Sequence, residues 1–332
     1  MSEKERLESL YQRLSSSNDF LLTTHQNSDP DGIGSEIGLL FLLTKLGKSA
    51  RILNPDKTPE RYTFMDPQCR VTYLDPERLN SFNTSSTVVV LDNSDLKRIG
   101  DVKKFIKEDC SNIIAIDHHE EVDDYQGLFL FSGIGSTAEI IYELFEIAGI
   151  EPDYTSALAL YLGIVMDTGQ FKYSKTRPRT YEIAAKLVRH NFPIEELLRK
   201  LYEDYPFEKL LLKKDIYQSL NVEPENGIAS ISISQEILKK YKNASGLGEG
   251  VVNELLGPKE IFMAAVFTEL PEGKVKISLR SKGRYNVCNI AKDFSGGGHS
   301  NAAGAVVNGD LSKIKKEISA RLRDLYKQHS LE

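Results

Sequence analysis

The sequence predicts an α/β protein in three parts: an N-terminal parallel β-sheet flanked by helices, a helical connector, and a smaller C-terminal α+β domain with a mixed sheet. Three observations lead there. Short β-rich runs alternate with helical patterns through the first half of the chain. Two of those runs, TVVVL at Thr87 to Leu91 and NIIAI at Asn112 to Ile116, are apolar almost without a break, as strands covered on both faces are. The 332 residues also exceed the ~150 that one domain typically holds. We place the boundaries at 1–190 for the first domain, 191–220 for the connector and 221–332 for the second domain.

In chain order, the expected strands of the sheet are Asp19 to Thr24, Ser49 to Leu53, Arg70 to Leu74, Thr87 to Leu91 and Asn112 to Ile116. An apolar helix, EIGLLFLLTKLG, follows the first of them. Helical patterns then run near Thr137 to Ala148, Tyr154 to Met166 and Thr180 to His190. A Leu-rich, charged stretch from Pro193 to Leu220, interrupted by Pro206, reads as the connector. Beyond it, Ile228 to Ser234, Ile261 to Glu269 and Lys274 to Leu279 read as strands, with helices at Gln235 to Tyr241, Gly250 to Leu256 and Leu311 to Tyr326. No internal repeat or low-complexity tract interrupts the pattern.

Composition narrows the function. Hydrophobic residues at 40%, charged residues at 27% and a mean hydropathy of -0.32 describe an ordinary globular chain. No apolar run approaches the ~18 residues of a membrane span, and the first seventeen residues resemble neither a secretory signal nor a transit peptide. The expected location is the cytoplasm, with no membrane partner. Cys69, Cys110 and Cys288 are odd in number and far apart, so they form no disulfide framework and read as buried small hydrophobes. A net charge of -6 is too acidic for a protein that coats duplex nucleic acid, so any polyanionic ligand must meet a local basic patch.

Polar clusters collect where the strands end. His25, Asp29 and Asp31 lie in the strand-to-helix loop after the first strand, Asp92 follows TVVVL, and Asp117, His118 and His119 follow IIAI. In open α/β sheets, ligands bind beyond the carboxyl ends of the strands, and all three clusters fall at that edge. Each alone has an ordinary explanation: Ser-Asp-Pro-Asp-Gly makes a good turn, Asp92 caps a turn, and one histidine is a hydrogen-bonded loop residue. Together they read as a metal site. Asp167 joins them as a carboxylate at the end of an otherwise apolar helix, costly to bury without a cation or donors; its ordinary reading is an exposed turn beside Gly169. Two divalent cations would neutralise Asp29, Asp31, Asp92 and Asp167, and oxygen with imidazole donors and no thiolate favours Mn²⁺, with Mg²⁺, Fe²⁺, Co²⁺ and Zn²⁺ also compatible with these ligand types. Such a pair suits hydrolytic phosphoryl chemistry, in which an activated hydroxide displaces an alcohol in line.

The second half supplies anion-binding features. Lys274, Lys276, Arg280, Lys282 and Arg284 alternate with Val275, Ile277 and Leu279, which on a strand makes one basic and one apolar face, although a solvated outer face is the better reading of Lys274 and Lys276. Gly296, Gly297 and Gly298 precede His299, a loop whose backbone can approach an anion, with a structural glycine turn as its rival.

These motifs, in this order, resemble the DHH phosphoesterase family with its DHH-associated C-terminal domain: His25-x3-Asp29-x-Asp31-x2-Gly34-Ser35, Asp92 with Arg98-x-Gly100, Asp117-His118-His119, Asp167, Ser281 and Gly-Gly-Gly-His299 with Ala-Ala-Gly. Within the family, the stand-alone oligoribonucleases that also remove the 3′-phosphate of 3′-phosphoadenosine 5′-phosphate (pAp) are the nearest pattern. The resemblance implies His25, Asp29 and Asp92 on one Mn²⁺, and Asp31, Asp92, His118 and Asp167 on the other. It implies that Asp117 orients a histidine, that His119 meets the scissile phosphate, and that Arg98, Arg280, Ser281, the three glycines and His299 hold the nucleotide. Substrates implied are short single-stranded RNA (nanoRNA), pAp, pApA and cyclic di-AMP; a homodimer is compatible with the pattern. Ser28 and Pro30 stand where the family often has Pro and Gly, and three glycines where four are common; neither departure removes a ligand, and both bear on loop shape and substrate preference.

A cyclic di-AMP phosphodiesterase is the alternative within the class. Family II pyrophosphatases share only the first-half motifs, and relatives that degrade long single-stranded DNA carry a further domain for which this chain has no room. A dinucleotide-binding dehydrogenase, suggested by Gly32, Gly34 and Gly38, is disfavoured because Asp29 and Asp31 would repel a pyrophosphate. A non-enzymatic nucleotide sensor has no need of a full ligand set.

Overall fold

A computed structural model describes residues 2–75, 86–109, 111–119, 126–241 and 250–330, and divides the chain into two compact units, Met1–Asp204 and Tyr205–Glu332. In the first unit, α1 (Glu3–Ser15) leads into β1 (Asp19–Thr23), α2 (Pro30–Lys45), β2 (Ser49–Asn54), β3 (Val71–Tyr73), β4 (Thr87–Leu91), β5 (Ile113–Asp117) and β6 (Leu128–Leu130). The helices α3 (Thr137–Ala148), α4 (Tyr154–Asp167), α5 (Pro178–Leu187) and α6 (Ile194–Tyr202) complete it. All six strands pair in parallel, in the order β3-β2-β1-β4-β5-β6. The order reverses between β1 and β4, which opens the crevice at their carboxyl ends where such sheets bind ligands.

Both faces of the sheet are covered, which explains the unbroken apolar runs. Phe20, Leu22, Val89, Leu91, Ile114 and Ile116 turn to one face and pack with α2, α3 and α4. Leu21, Val88, Val90, Ile113 and Ala115 turn to the other. There the cover is Ile99, Val102 and Phe105, on and beside a 3-10 helix at Gly100–Phe105.

The first polar motif is a helix start and not the plain turn that its residues also suit. Asp29 is the N-cap of α2, accepting from the amides of Asp31 (2.9 Å) and Gly32 (3.2 Å), and Pro30 fills the first helical position. Asp31 is therefore inside the first turn of the helix, correcting its expected place in the loop. Contact between α2 and α4 depends on missing side chains. A Cβ at Gly34 would lie 2.3 Å from the carbonyl oxygen of Ala159, and one at Gly163 would lie 2.9 Å from Asp31 Oδ1.

The second unit begins with α7 (Glu208–Tyr217), then β7 (Asn221–Glu223), β8 (Ile228–Ile233), α8 (Gln235–Lys240), α9 (Val251–Leu255), β9 (Met263–Leu270) and β10 (Lys274–Ser281). It ends with α10 (Val287–Asp293), β11 (Gly297–His299), β12 (Ala302–Asn308) and α11 (Leu311–Ser330). Its sheet, in the order β11-β12-β10-β9-β8-β7, is mixed, with β8 parallel to β9 and the other pairs antiparallel. The helices of the expected connector each join a core: Leu197 and Leu201 of α6 pack in the first unit, Leu212 and Ile216 of α7 in the second.

Several details differ from expectation. β10 ends at Ser281, so Lys282 and Arg284 lie beyond the basic face and bond the carbonyls of Pro258 and His329. The glycine stretch is a strand and not a loop: Gly297 pairs with Gly304 and Gly298 with Ala303. A Cβ at Gly296 would sit 2.1 Å from the Gly304 carbonyl oxygen, so its absence serves this close pairing. Cys288 is buried as expected, Cys69 is exposed, and Cys110 lies outside the described residues. Among the described residues no helix is long and apolar enough to cross a membrane.

Gly34→Ala is expected to force α2 off α4 and destabilise the first unit by about 1–3 kcal/mol, the usual cost of overpacking. Thermal unfolding should show its transition lowered by several degrees, at roughly 2–4 °C per kcal/mol for a unit of this size.

Candidate metal centre

Each strand end at the crevice contributes one motif, and the structure brings the three together. His25 follows β1, Asp92 follows β4, and Asp117 ends β5 ahead of His118 and His119. Asp31 arrives from α2, and Asp167 is the last residue of α4. Three groups of donor atoms converge: His25, Asp29 and Asp92; Asp31, His118 and Asp167; and Asp92, His118 and His119, the atoms within each group lying within 4.8 Å of one another.

Asp92 is the common member. Its Oδ2 lies 3.7 Å from His25 Nε2, and its Oδ1 lies 3.5 Å from His118 Nε2 and accepts from the Thr137 hydroxyl at 3.1 Å. The residue is buried and left-handed, with φ 57°, a conformation that Asp tolerates better than most side chains. A backbone bond from its amide to the Ile116 carbonyl (2.9 Å) ties it to β5.

The imidazoles are aimed by the backbone. His25 Nδ1 lies 2.8 Å from the carbonyl oxygen of Gln26, and His118 Nδ1 lies 3.2 Å from that of Ile134. A ring that donates from Nδ1 presents an unprotonated Nε2 to the site, which is how metal-bound histidines are held. His118 Nε2 is buried, 3.9 Å from Asp31 Oδ2 and 2.8 Å from Asp167 Oδ2, yet makes no hydrogen bond of proper geometry.

Asp31 is fully buried and accepts from the amides of Thr137 (2.7 Å) and Ala138 (2.8 Å), the N-terminus of α3. That dipole favours an anion. Even so, burial and then the charges of Asp92 and Asp167 push its carboxyl well above the ordinary range. Burial, followed by repulsion from Asp92, pushes Asp29 up to about 6. Burial also opposes charge on Asp92, but the neighbouring His118 and His25 rings overcome it and hold its carboxyl far below the usual range. Burial opposes charge on His118 too, and Asp167 and Asp92 outweigh it, raising the ring well above its usual value. Protons thus gather where the carboxylates crowd, and a divalent cation would take their place. Oxygen and imidazole donors with a buried nitrogen lacking a partner fit such an ion.

Asp117 Oδ1 accepts from the amides of His118 (2.8 Å) and His119 (3.2 Å) and lies 2.6 Å from His119 Nδ1, so it orients His119 in particular. That hydrogen bond comes first among the causes raising the His119 ring above its usual value. Arg98 is exposed, and its carbonyl accepts from the Gln26 amide at 2.8 Å, joining the first two motifs.

Within the second unit, Arg280 and Gly296 line one cleft with Lys276, Ser278, Ser295 and Gly304. Ser281 is buried on the opposite, apolar face of β10, where its hydroxyl donates to the Tyr285 carbonyl. Gly297, Gly298 and His299 lie on the edge strand β11.

Two features escape sequence reading. The N-terminus of α3 serves Asp31 and Asp92, and only its start is legible, as Ser136 with Glu139 three residues on. Below the crevice, fully buried Glu36 accepts from Asn54 Nδ2 (2.9 Å), whose Oδ1 accepts from the Thr24 amide (3.1 Å) beside His25. Burial pushes Glu36 up to about 8.

The family model described as "DHH family, N-terminal domain" matches residues 19–164, and "DHHA1 domain" matches residues 231–324. A probable bifunctional oligoribonuclease and PAP phosphatase NrnA of Streptococcus mutans is 28% identical over 308 residues, covering 92% of this chain and 94% of that protein. The bifunctional oligoribonuclease and PAP phosphatase NrnA of Bacillus subtilis is 29% identical over 314 residues, covering 93% and 95%. An exopolyphosphatase-related protein from Bacteroides fragilis superposes with a TM-score of 0.88 at 25% identity, covering 98% of this chain and 100% of that one.

Titrating Mn²⁺ into metal-free protein should raise its melting temperature by several degrees, since a ligand at ~100 times its Kd contributes about 2.7 kcal/mol. A melting curve unmoved by Mn²⁺ would remove the centre. A second expectation concerns pH. Folded Glu36 holds its proton more tightly than an unfolded chain with the ordinary 4.5, so its contribution is complete below about 4.5 and lost as pH rises to about 8. Urea unfolding of metal-free protein should lose on the order of a few kcal/mol across that range. Glu36→Gln should reduce that loss, the difference from the parent protein growing as pH rises toward about 8.

Proposed function

We propose that this chain, which carries a DHH-family N-terminal domain followed by a DHHA1 domain, is a metal-dependent phosphoesterase that hydrolyses short oligoribonucleotides and removes the 3′-phosphate of pAp. The reading rests on one observation above the rest: Asp92 turns one oxygen to His25 and the other to His118 while four carboxylates crowd the same crevice. The activities named for relatives that match more than nine-tenths of the chain supply the substrate class.

In this reading His25, Asp29 and Asp92 hold one divalent ion, and Asp31, Asp92, His118 and Asp167 hold a second, Mn²⁺ by donor chemistry. Bound ions would supply Lewis-acid stabilisation of phosphoryl oxygens and acidify a water at neutral pH. The residues do the rest. Asp92 would face both ions, and the α3 N-terminus fixes buried Asp31 with two amide donors. His119, oriented by Asp117, would meet the scissile phosphate, and in its protonated form would pass a proton to the ribose oxygen as the phosphorus–oxygen bond breaks, while the oxygen of a water that has already lost a proton bonds to phosphorus. Arg98, and in the second unit Arg280, Ser281, the three glycines and His299, serve the nucleotide and its phosphates. The buried hydroxyl of Ser281 leaves it a supporting part, holding the turn from Ser281 to Tyr285 with Asn301.

Asp92→Asn should lower turnover by roughly 10³-fold or more while the fold persists, because Asn accepts the left-handed backbone as readily as Asp. Steady-state rates with Mn²⁺ on di- to pentanucleotide RNA, pAp, pApA, cyclic di-AMP and pyrophosphate would test both parts. Cleavage of RNA and pAp is expected. Hydrolysis of pyrophosphate alone would overturn the reading.

A further inference from the structure

The chain leaves α4 at Asp167 in an unusual way. Gly169 (φ 56°), Gln170 (φ 61°) and Phe171 (φ 63°) are left-handed in succession, and two of them carry side chains. Thr168 holds this turn. Its hydroxyl donates to the Ile164 carbonyl (2.6 Å) and accepts from the Phe171 amide (3.1 Å), while its own carbonyl accepts from the amides of Lys172 (2.9 Å) and Tyr173 (3.0 Å). The result is a cluster of aromatic rings beside the metal centre. Phe171 stacks on Tyr181, with centroids 5.2 Å apart and planes at 23°. Tyr173 is laid against Gly169, where a Cβ would come within 2.5 Å of its ring, and remains 60% exposed.

Both anchors of Tyr173 lead to the centre. Gly169 is two residues past Asp167, at most ~7 Å of chain. Lys175, two residues beyond Tyr173, donates from Nζ to the His118 carbonyl at 3.3 Å. A broad, exposed aromatic face is thus fixed next to Asp167 and His118, between Lys172 and Lys175, on a chain that is acidic overall. Aromatic residues interleaved with cations are how proteins hold unpaired nucleotides: the ring takes the base and the ammonium groups take the backbone. The segment lies between the two stretches matched by family models, 19–164 and 231–324.

We propose that Tyr173 is a substrate-positioning residue whose exposed ring stacks on the base next to the scissile phosphate, with Lys172 and Lys175 facing the adjoining phosphates. The idea rests on the phosphoesterase reading of the same crevice. A planar base suits a flat ring supported from beneath by Gly169. A protein partner docking on the same face is the competing occupant.

The test uses full-length Tyr173→Ala and Tyr173→Phe, with Tyr154→Ala as a control. Tyr154 is 49% exposed at the far end of α4 from Asp167, a 14-residue helix about 20 Å long. Tyr173→Ala should raise KM for an RNA dinucleotide by roughly 5- to 150-fold, the worth of one base–aromatic stack, with kcat nearly unchanged. Tyr173→Phe should restore KM, and Tyr154→Ala should not alter it. The same dinucleotide lacking the stacked base should show no dependence on Tyr173. Quenching of a 2-aminopurine dinucleotide, read without turnover, should be lost in Tyr173→Ala alone. An unchanged KM and unchanged quenching would overturn the proposal, as would an equal KM rise on the substrate lacking its base. A chain whose Tyr173-dependent quenching persists without any cleavage would spare the stacking role and sink the phosphoesterase reading.

Discussion

The crowding of four carboxylates into one crevice, two of them buried and two half-buried, is the constraint on which this molecule depends. Asp29, Asp31, Asp92 and Asp167 meet at the crevice, three of them drawing protons or imidazolium partners to offset their charge. Much of the surrounding architecture serves to make that crowding tolerable. The N-terminus of α3 faces Asp31, the amides of α2 cap Asp29, and the Thr137 hydroxyl faces Asp92. None of these donors is free to move, because each belongs to a helix end or a packed turn. An arrangement so costly when bare and so well supported is organised to receive positive charge.

Position in the sheet explains why it is Asp92 that joins the two halves of the centre. β1 and β4 flank the point where strand order reverses, and their following segments must part there, one toward α2 and the other toward the 3-10 helix. The residue at the end of β4 sits in that gap, and its left-handed backbone turns the carboxylate inward. Close approach of α2 to α4, possible because Gly34 and Gly163 lack side chains, then delivers Asp31 and Asp167 from the helical layer. Topology, helix contact and charge are therefore one problem with one solution.

Much of this is legible in the sequence. β4 and β5 declare themselves because strands buried on both faces have no polar positions, and the polar residues that follow them must lie at the carboxyl edge. The metal-ligand candidates were legible as a set for the same reason. Short elements were not. Leu128–Leu130 is three half-buried residues, too few for a periodic signal, and β11 and β12 are built from Gly and Ala, which carry little strand propensity. The α3 donors to Asp31 come from more than a hundred residues away, and the carbonyls that aim His25 and His118 are backbone groups without a sequence signature. The resemblance alone points to Ser281 as a ligand contact; alternation along β10 puts its side chain on the face opposite Arg280.

Strand length at the margins carries a last consequence. Each sheet ends in three-residue strands: Val71–Tyr73 and Leu128–Leu130 in the first, Asn221–Glu223 and Gly297–His299 in the second. So short a border offers few unpaired amides and carbonyls on which a foreign β-segment could grow, and charged Glu223 further discourages it. The same folds that expose a reactive crevice at their strand ends are thereby blunted along their sides, and crowded solutions give neighbouring molecules little template for fibrous self-association.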